Sequence, residues 1–165
     1  PVGRLDADSE GLLLLTSDRS INHLLLHPDF AHRRTYLAQV EGIASDEACK
    51  QLVKGVTISV DGKKHFVKAL AARVAEKPLW LGERVPPVRF RKTVPDSWIE
   101  IVLSEGKNRQ VRKMTAAAEL PTLRLVRTAI EDIQLDGLQP GETRTFDRHT
   151  WFQKLKINNR QPRFR

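Results

Sequence analysis

The chain has a single cysteine, Cys49, which excludes an internal disulfide and any zinc site built from cysteines. Cys49 lies in a stretch of helical pattern, among the wrong neighbours for a nucleophile. A buried core thiol is expected, and a reducing cytoplasm fits it. No apolar run approaches the ~18 residues of a bilayer span, and no basic amphipathic helix carries a bulky apolar face, so no membrane partner is expected. Serines occur without a Gly-x-Ser-x-Gly elbow, and there is neither a Walker lysine nor a paired-glycine phosphate loop. His23 and His27 have the i, i+4 spacing of helical metal ligands, yet no zincin glutamate accompanies them and no third ligand is placed nearby. No metal is expected there. No internal repeat is visible. Acids are scarce as well, 20 against 28 lysines and arginines, giving a net charge of +8 and a pI near 10.0. That surplus predicts a polyanionic partner, and with membranes set aside the partner is nucleic acid.

What is present suffices for one domain: 165 residues, 40% of them hydrophobic, can bury a proper core. Four consecutive leucines in Gly11 to Thr16 leave no room for an amphipathic helix before Ser17-Asp18 and predict a buried strand. Ser17 or Asp18 can cap a helix that His27-Pro28 ends. Thr35 to Glu41 alternates, with Tyr36, Ala38 and Val40 on one face, and reads as a strand. Ser45 caps a second helix that Gly55 closes, and Asp61-Gly62 marks a hairpin between Val56 to Val60 and the run Lys64 to Val74. Trp98 to Leu103 and Thr122 to Arg127 alternate as strands, and a short helix carrying Trp151 and Leu155 follows Asp147. The fold class is therefore α+β. Residues 1–150 are read as the main domain and 151–165 as a C-terminal helix and basic tail.

Between Glu76 and Ser97 the periodicity disappears, and prolines 78, 86, 87 and 95 alternate with Arg84, Arg89, Arg91 and Lys92. A disordered linker is one reading. Trp80, Val88 and Phe90 favour the other, an ordered basic arm that packs by its aromatics and turns its arginines toward phosphates.

Two stretches carry chemistry. Gly3-Arg4-Leu5-Asp6-Ala7-Asp8-Ser9-Glu10-Gly11 places acids in a polar loop that runs into an apolar strand, which is how a chain presents a carboxylate at the edge of a rigid sheet. By pattern alone Asp6 and Asp8 also fit ordinary turn carboxylates, and Asp6, Asp8 and Glu10 together fit the magnesium cluster of a nuclease. The second stretch, Lys107-Asn108-Arg109-Gln110-Val111-Arg112-Lys113-Met114, opens a helix read as running to Glu119. It crowds four cations where the helix dipole is already positive, so something negative should sit there, a phosphate or a carboxylate.

Gly3-Arg4-Leu5-Asp6 with Gly11-Leu12-Leu13 resembles the first signature of the pseudouridine synthases that modify single uridines in ribosomal RNA. Glu105-Gly106, followed by Asn108-Arg109-Gln110-Val111-Arg112, resembles their third. Arg34-Thr35-Tyr36 is similar to their basic-x-Tyr pattern, and Leu135, Leu138, Pro140 and Gly141 to their closing motif. The proline-rich arm ending in Pro95-Asp96-Ser97-Trp98 resembles the branch acting on large-subunit rRNA.

The resemblance runs from Gly3 to about Gly141. It implies a pseudouridine synthase fold with a mixed, mostly antiparallel sheet flanked by helices and loops. A strand-rich segment would precede Gly3 in the parent protein, so the chain is read as a fragment of the catalytic domain. Asp6 would be the nucleophile, attacking either the ring or the sugar carbon. Tyr36 would stack on the target base, and Arg112, or as the weaker match Arg109, would pair with Asp6. Arg4 would fill the space left by the flipped nucleotide, and Arg89, Arg91, Lys92, Lys107, Arg109 and Arg124 would contact the RNA. The reaction needs no metal and no organic cofactor; a cytoplasmic monomer acting on 23S rRNA is expected. The alternatives are a non-catalytic RNA-binding module and the metal-dependent nuclease.

Overall fold

The computed structural model describes residues 1–88 and 93–157. Strand β1 (Glu10–Gly11) is followed by helix α1 (Arg19–Leu26), a 3-10 turn (Pro28–Phe30), strand β2 (Arg34–Glu41) and helix α2 (Asp46–Lys54). Then come β3 (Val56–Val60), β4 (Lys63–Val67), β5 (Ala71–Ala75), β6 (Asp96–Leu103), helix α3 (Gln110–Ala117), β7 (Thr122–Ile130), β8 (Ile133–Gln134) and α4 (Arg148–Lys154). The main sheet has the order β1-β7-β2-β6-β5, with β8 paired to β7, and β3-β4 form a separate hairpin. Among the described residues only the β1-β7 pair is parallel. The mixed, mostly antiparallel α+β architecture matches the expectation.

Local chemistry sets the boundaries. Asp18 caps α1 by accepting the Ser20 amide at 2.9 Å, Ser45 caps α2 through the Ala48 amide at 3.2 Å, and Asp147 caps α4 through Thr150 at 2.9 Å. Gly55 ends α2 with φ 118°, and Asp61 and Gly62 turn the β3-β4 hairpin with φ 49° and 77°, as an Asp-Gly pair does. The run from Lys64 to Val74 divides between two sheets, because Lys68 to Leu70 carry the chain from the hairpin to the edge of β6.

Gly11 to Thr16 departs from the reading as a buried strand. Only Glu10 and Gly11 pair with β7; beyond them the chain stays extended at the sheet's edge, with Leu12 and Leu14 buried and Leu13 and Leu15 exposed. There the Leu12 amide still donates to the Arg127 carbonyl of β7, and the Val2 amide donates to the Leu14 carbonyl, each at 2.8 Å. Helix α3 likewise starts later than the charge run suggests, leaving Lys107 to Arg109 in the preceding turn.

Two apolar clusters share one face of the sheet. The larger takes Ala38, Val40, Ile99, Ile101, Leu103 and Leu125 from the strands and packs them against α2 and α3, with Cys49 buried among them as expected. The smaller gathers Ile130, Leu12, Leu14, Ile21 and Leu25 beneath α1 and α4. On the opposite face Leu37, Trp98 and Val126 are covered by Leu81 of the proline-rich arm, while Leu79 and Val85 of the same arm are exposed.

Candidate active site

The loop before β1 is shaped by its backbone. The Ser9 amide donates to the Asp6 carbonyl at 2.9 Å, closing a turn that begins at Asp6 and has Ala7 and Asp8 at its two corners. Gly11, at φ 104°, lets β1 lie directly on β7, since a Cβ there would stand 2.3 Å from the Arg127 carbonyl oxygen. The loop is thereby brought against the start of α3 and the first residues of β7.

Four arginines meet three acids at this junction. Asp8 takes a bidentate pair from Arg109, with both bonds at 2.8 Å. Arg112 donates to the Asp8 carbonyl at 2.8 Å and the Thr122 carbonyl at 3.2 Å, and lies 3.4 Å from the Asp8 carboxylate. Glu10 takes a second bidentate pair from Arg124, at 2.9 and 2.8 Å, and stands 3.3 Å from Arg84 of the proline-rich arm. Asp6 is treated differently: its ion-pair partner among the described residues is Arg109, at 3.8 Å, beyond hydrogen-bond reach. Both oxygens of Asp8 and of Glu10 are therefore held by guanidinium forks, whereas among the described residues Asp6 has no such fork and stands beside a concentrated positive charge.

The hydrogen bond from Arg109, with the charge of Arg112 behind it, holds the Asp8 carboxyl below the usual aspartate range against the opposing effect of burial. The same bond raises Arg109, while burial pulls Arg112 down. Because the folded pKa of Asp8 lies below its unfolded value, the contribution to stability is complete above the unfolded value, about 3.9, and is lost as pH falls through the folded one. Acid unfolding followed by circular dichroism should therefore show a component below about pH 4 that Asp8→Asn removes. An identical acid limb in the variant would mean that this pair does not contribute.

The expected pairing of Arg112 with Asp6 is thus not formed: Arg112 reaches Asp8, and Arg109 is the arginine facing Asp6. Tyr36 lies in β2 opposite Arg127 of β7, which is itself level with Gly11 of β1, so Tyr36 and the acidic loop are two strands, roughly 10 Å, apart across the sheet. Arg4 is exposed at the loop. Lys107 pairs with Glu105, which also accepts from Gln110 at 2.7 Å. Arg124 is only 5% exposed, its donors taken by Glu10 and the Gly82 carbonyl, so it does not face outward as a phosphate ligand would. Arg89, Arg91 and Lys92 lie outside the described residues. Arg84 was read as facing phosphates and Asp8 as a loop carboxylate; their pairing with Glu10 and with Arg109 was not foreseen. The spacing of Asp6, Asp8 and Glu10 carried the signal, but it fits a metal cluster equally well until the arginines are located in space. Among the described residues, no group of three or more His, Cys, Asp or Glu side chains is placed to hold a metal.

Comparison with known proteins matches residues 1–117 to the family described as RNA pseudouridylate synthase. The chain belongs to that family. This synthase is 50% identical over 138 residues to the ribosomal large subunit pseudouridine synthase E of Xanthomonas axonopodis pv. citri (strain 306), covering 84% of the chain and 70% of the relative. It is 45% identical over 141 residues to the enzyme of the same name from Vibrio parahaemolyticus serotype O3:K6, covering 85% and 57%. A crystal structure of a pseudouridylate synthase superposes with a TM-score of 0.70 at 28% identity, over 93% of this chain and 58% of that one. The synthase is therefore an isomerase by family, and no helix among its described residues is long and apolar enough to cross a membrane.

Proposed function

We propose that this synthase converts a uridine of large-subunit ribosomal RNA to pseudouridine, with Asp6 as the nucleophile. The observation that supports the assignment is the unequal treatment of the three loop acids: forks from Arg109 and Arg124 occupy Asp8 and Glu10, whereas Asp6 has none at hydrogen-bond distance among the described residues. The substrate class is supported by the names of the relatives and by the +8 charge. Flipping the target nucleotide costs a few kcal/mol, recovered from protein contacts. Tyr36 stacks on the extruded base, Arg4 fills the gap it leaves, and Arg109 and Arg112 keep the acidic loop aimed by holding Asp8 ionised. Lys107, Arg89, Arg91 and Lys92 contact the surrounding phosphates. The enzyme acts as a cytoplasmic monomer with no organic cofactor. Mapping pseudouridine in 23S rRNA from cells lacking the gene should reveal one missing site, restored by the wild-type gene; an unchanged map would discard the assignment.

Chelation separates this reading from a nuclease. With both oxygens of Asp8 and of Glu10 held by guanidinium groups, the cluster has little left to offer magnesium. Excess EDTA should leave pseudouridine formation within about twofold on an RNA shown to remain folded. Loss of activity restored by magnesium, with strand scission, would move Asp6, Asp8 and Glu10 to a metal role.

A further inference from the structure

Five lysines fall between residues 50 and 68 against one acid, Asp61, so positive charge is concentrated on α2 and the β3-β4 hairpin. Lys54, Lys63, Lys64 and Lys68 are exposed and make no ion pair among the described residues. Other lysines are spent differently: Lys77, Lys107 and Lys156 each meet a carboxylate.

The hairpin sorts its two faces. Val56, Ile58, Val60 and Val67 are buried in the larger apolar cluster, beside Val111 and Met114 of α3. The outer face sets Thr57 opposite Phe66 and Ser59 opposite Lys64, and all four are exposed. A lone exposed aromatic is ordinary. Phe66 is set apart by being 64% exposed and yet held in place. Its ring lies on Gly55, where a Cβ would stand 2.4 Å from the ring's Cζ, so a side chain at residue 55 would displace it. The Lys68 Nζ stands 5.5 Å from the ring centroid. A fixed ring among ammonium groups and hydroxyls on a strand surface suits unpaired nucleotides, because any base can stack on the ring while lysines meet the phosphates. The location fits as well. The hairpin packs on α3, whose start is tied to the acidic loop and whose eight residues span about 12 Å.

We infer that the outer face of the β3-β4 hairpin is a second RNA-binding surface. It takes an unpaired stretch of the substrate, with a base stacked on Phe66 and the adjoining phosphates on Lys64 and Lys68. This rests on the reading of the protein as an RNA-modifying enzyme and adds a contact outside the catalytic loop. Lysines also suit an anionic membrane, but one ring between a threonine and two lysines is not the bulky apolar face that inserts into lipid.

The test uses the full chain with a 23S rRNA transcript. Affinity is measured across a salt series for the wild type, Phe66→Ala, Phe66→Trp and the double variant Lys64→Gln/Lys68→Gln, with thermal midpoints alongside. Phe66→Ala should bind about tenfold more weakly with the salt slope unchanged, since stacking releases no counterion, and Phe66→Trp should keep wild-type affinity. The double variant should lower the log-log slope by about 1.4, two phosphate contacts on a single strand. Wild-type affinity in Phe66→Ala, or an unchanged slope in the double variant, would overturn the surface. On a fully paired RNA the loss in Phe66→Ala should vanish; an equal loss there would overturn the stacking. Phe66-dependent capture by phosphatidylglycerol vesicles, with RNA affinity unchanged in Phe66→Ala, would assign the face to lipid instead. Should Phe66→Ala not fold, the double variant decides, because both lysines are exposed. A wild-type protein that binds the transcript without salt dependence would instead overturn the RNA reading itself.

Discussion

Asp6→Asn should abolish pseudouridine formation, by at least about 10⁴-fold in turnover, while RNA affinity stays within a few-fold of wild type. The amide keeps the size of the acid and much of its hydrogen bonding but cannot serve as the covalent nucleophile. The fold should survive, because among the described residues the Asp6 side chain makes only a 3.8 Å contact with Arg109 and is 37% exposed. The informative comparison is Asp8→Asn. Asp8 is the residue that binds Arg109 and the carboxylate closest to Arg112, so its loss loosens the site without removing the reactive group; a fall of about tenfold is expected. The Arg112 bond to the Asp8 backbone carbonyl persists in that variant and limits the damage. A dead Asp8→Asn beside an active Asp6→Asn would transfer the nucleophile from residue 6 to residue 8. Tritium release from 5-tritiated uridine measures both variants on one scale.

Arg112→Ala should damage both stability and activity. The side chain of Arg112 is 12% exposed and holds together three things: the acidic loop through Asp8, the start of β7 through Thr122, and α3 on which it sits. Truncation leaves two carbonyls short of a donor, each worth about 1 kcal/mol or more. The ion-pair component adds less than a buried pair would, since Asp8 is 42% exposed and solvent screens it. A loss of about 2 kcal/mol follows, lowering the thermal midpoint by roughly 4–8 °C in a domain of this size. Turnover should drop more than RNA affinity, because the loop carrying Asp6 loses its anchor. A variant with wild-type melting and turnover would show that Arg109 alone organises the site.

Much of the fold was legible because its signals are local. Asp18, Ser45, Asp147, Gly55 and Asp61-Gly62 act within a few residues of themselves, and each stands where its chemistry implies. Alternation identified β2, β6 and β7, although Leu37, Trp98 and Val126 are covered on the opposite face as well. The leucine run failed for the complementary reason: four identical side chains do not say which face is covered, and the covering residues, Val2 and α1, come from elsewhere in the chain. Charge was harder still. Arg109 and Arg112 were legible as cations awaiting an anion, but the anion is a carboxylate about a hundred residues away in sequence. Arg124 looked like an outward-facing base on an alternating strand until Glu10 and Gly82 were found around its guanidinium.

The two hydrogen bonds at the base of the acidic loop, Val2 to Leu14 and Leu12 to Arg127, bear on the cost of catalysis. They bring the loop's entry and exit together before any RNA arrives, and the Ser9 turn and the Asp8 clamp fix its interior. Closing a loop of this length sacrifices conformational entropy whenever it happens. Here the sacrifice falls on folding, where the sheet offsets it, so the encounter with substrate is spared it. Binding energy drawn from the phosphates is then free to unstack a nucleotide, with no share diverted to ordering the carboxylate proposed to react with it.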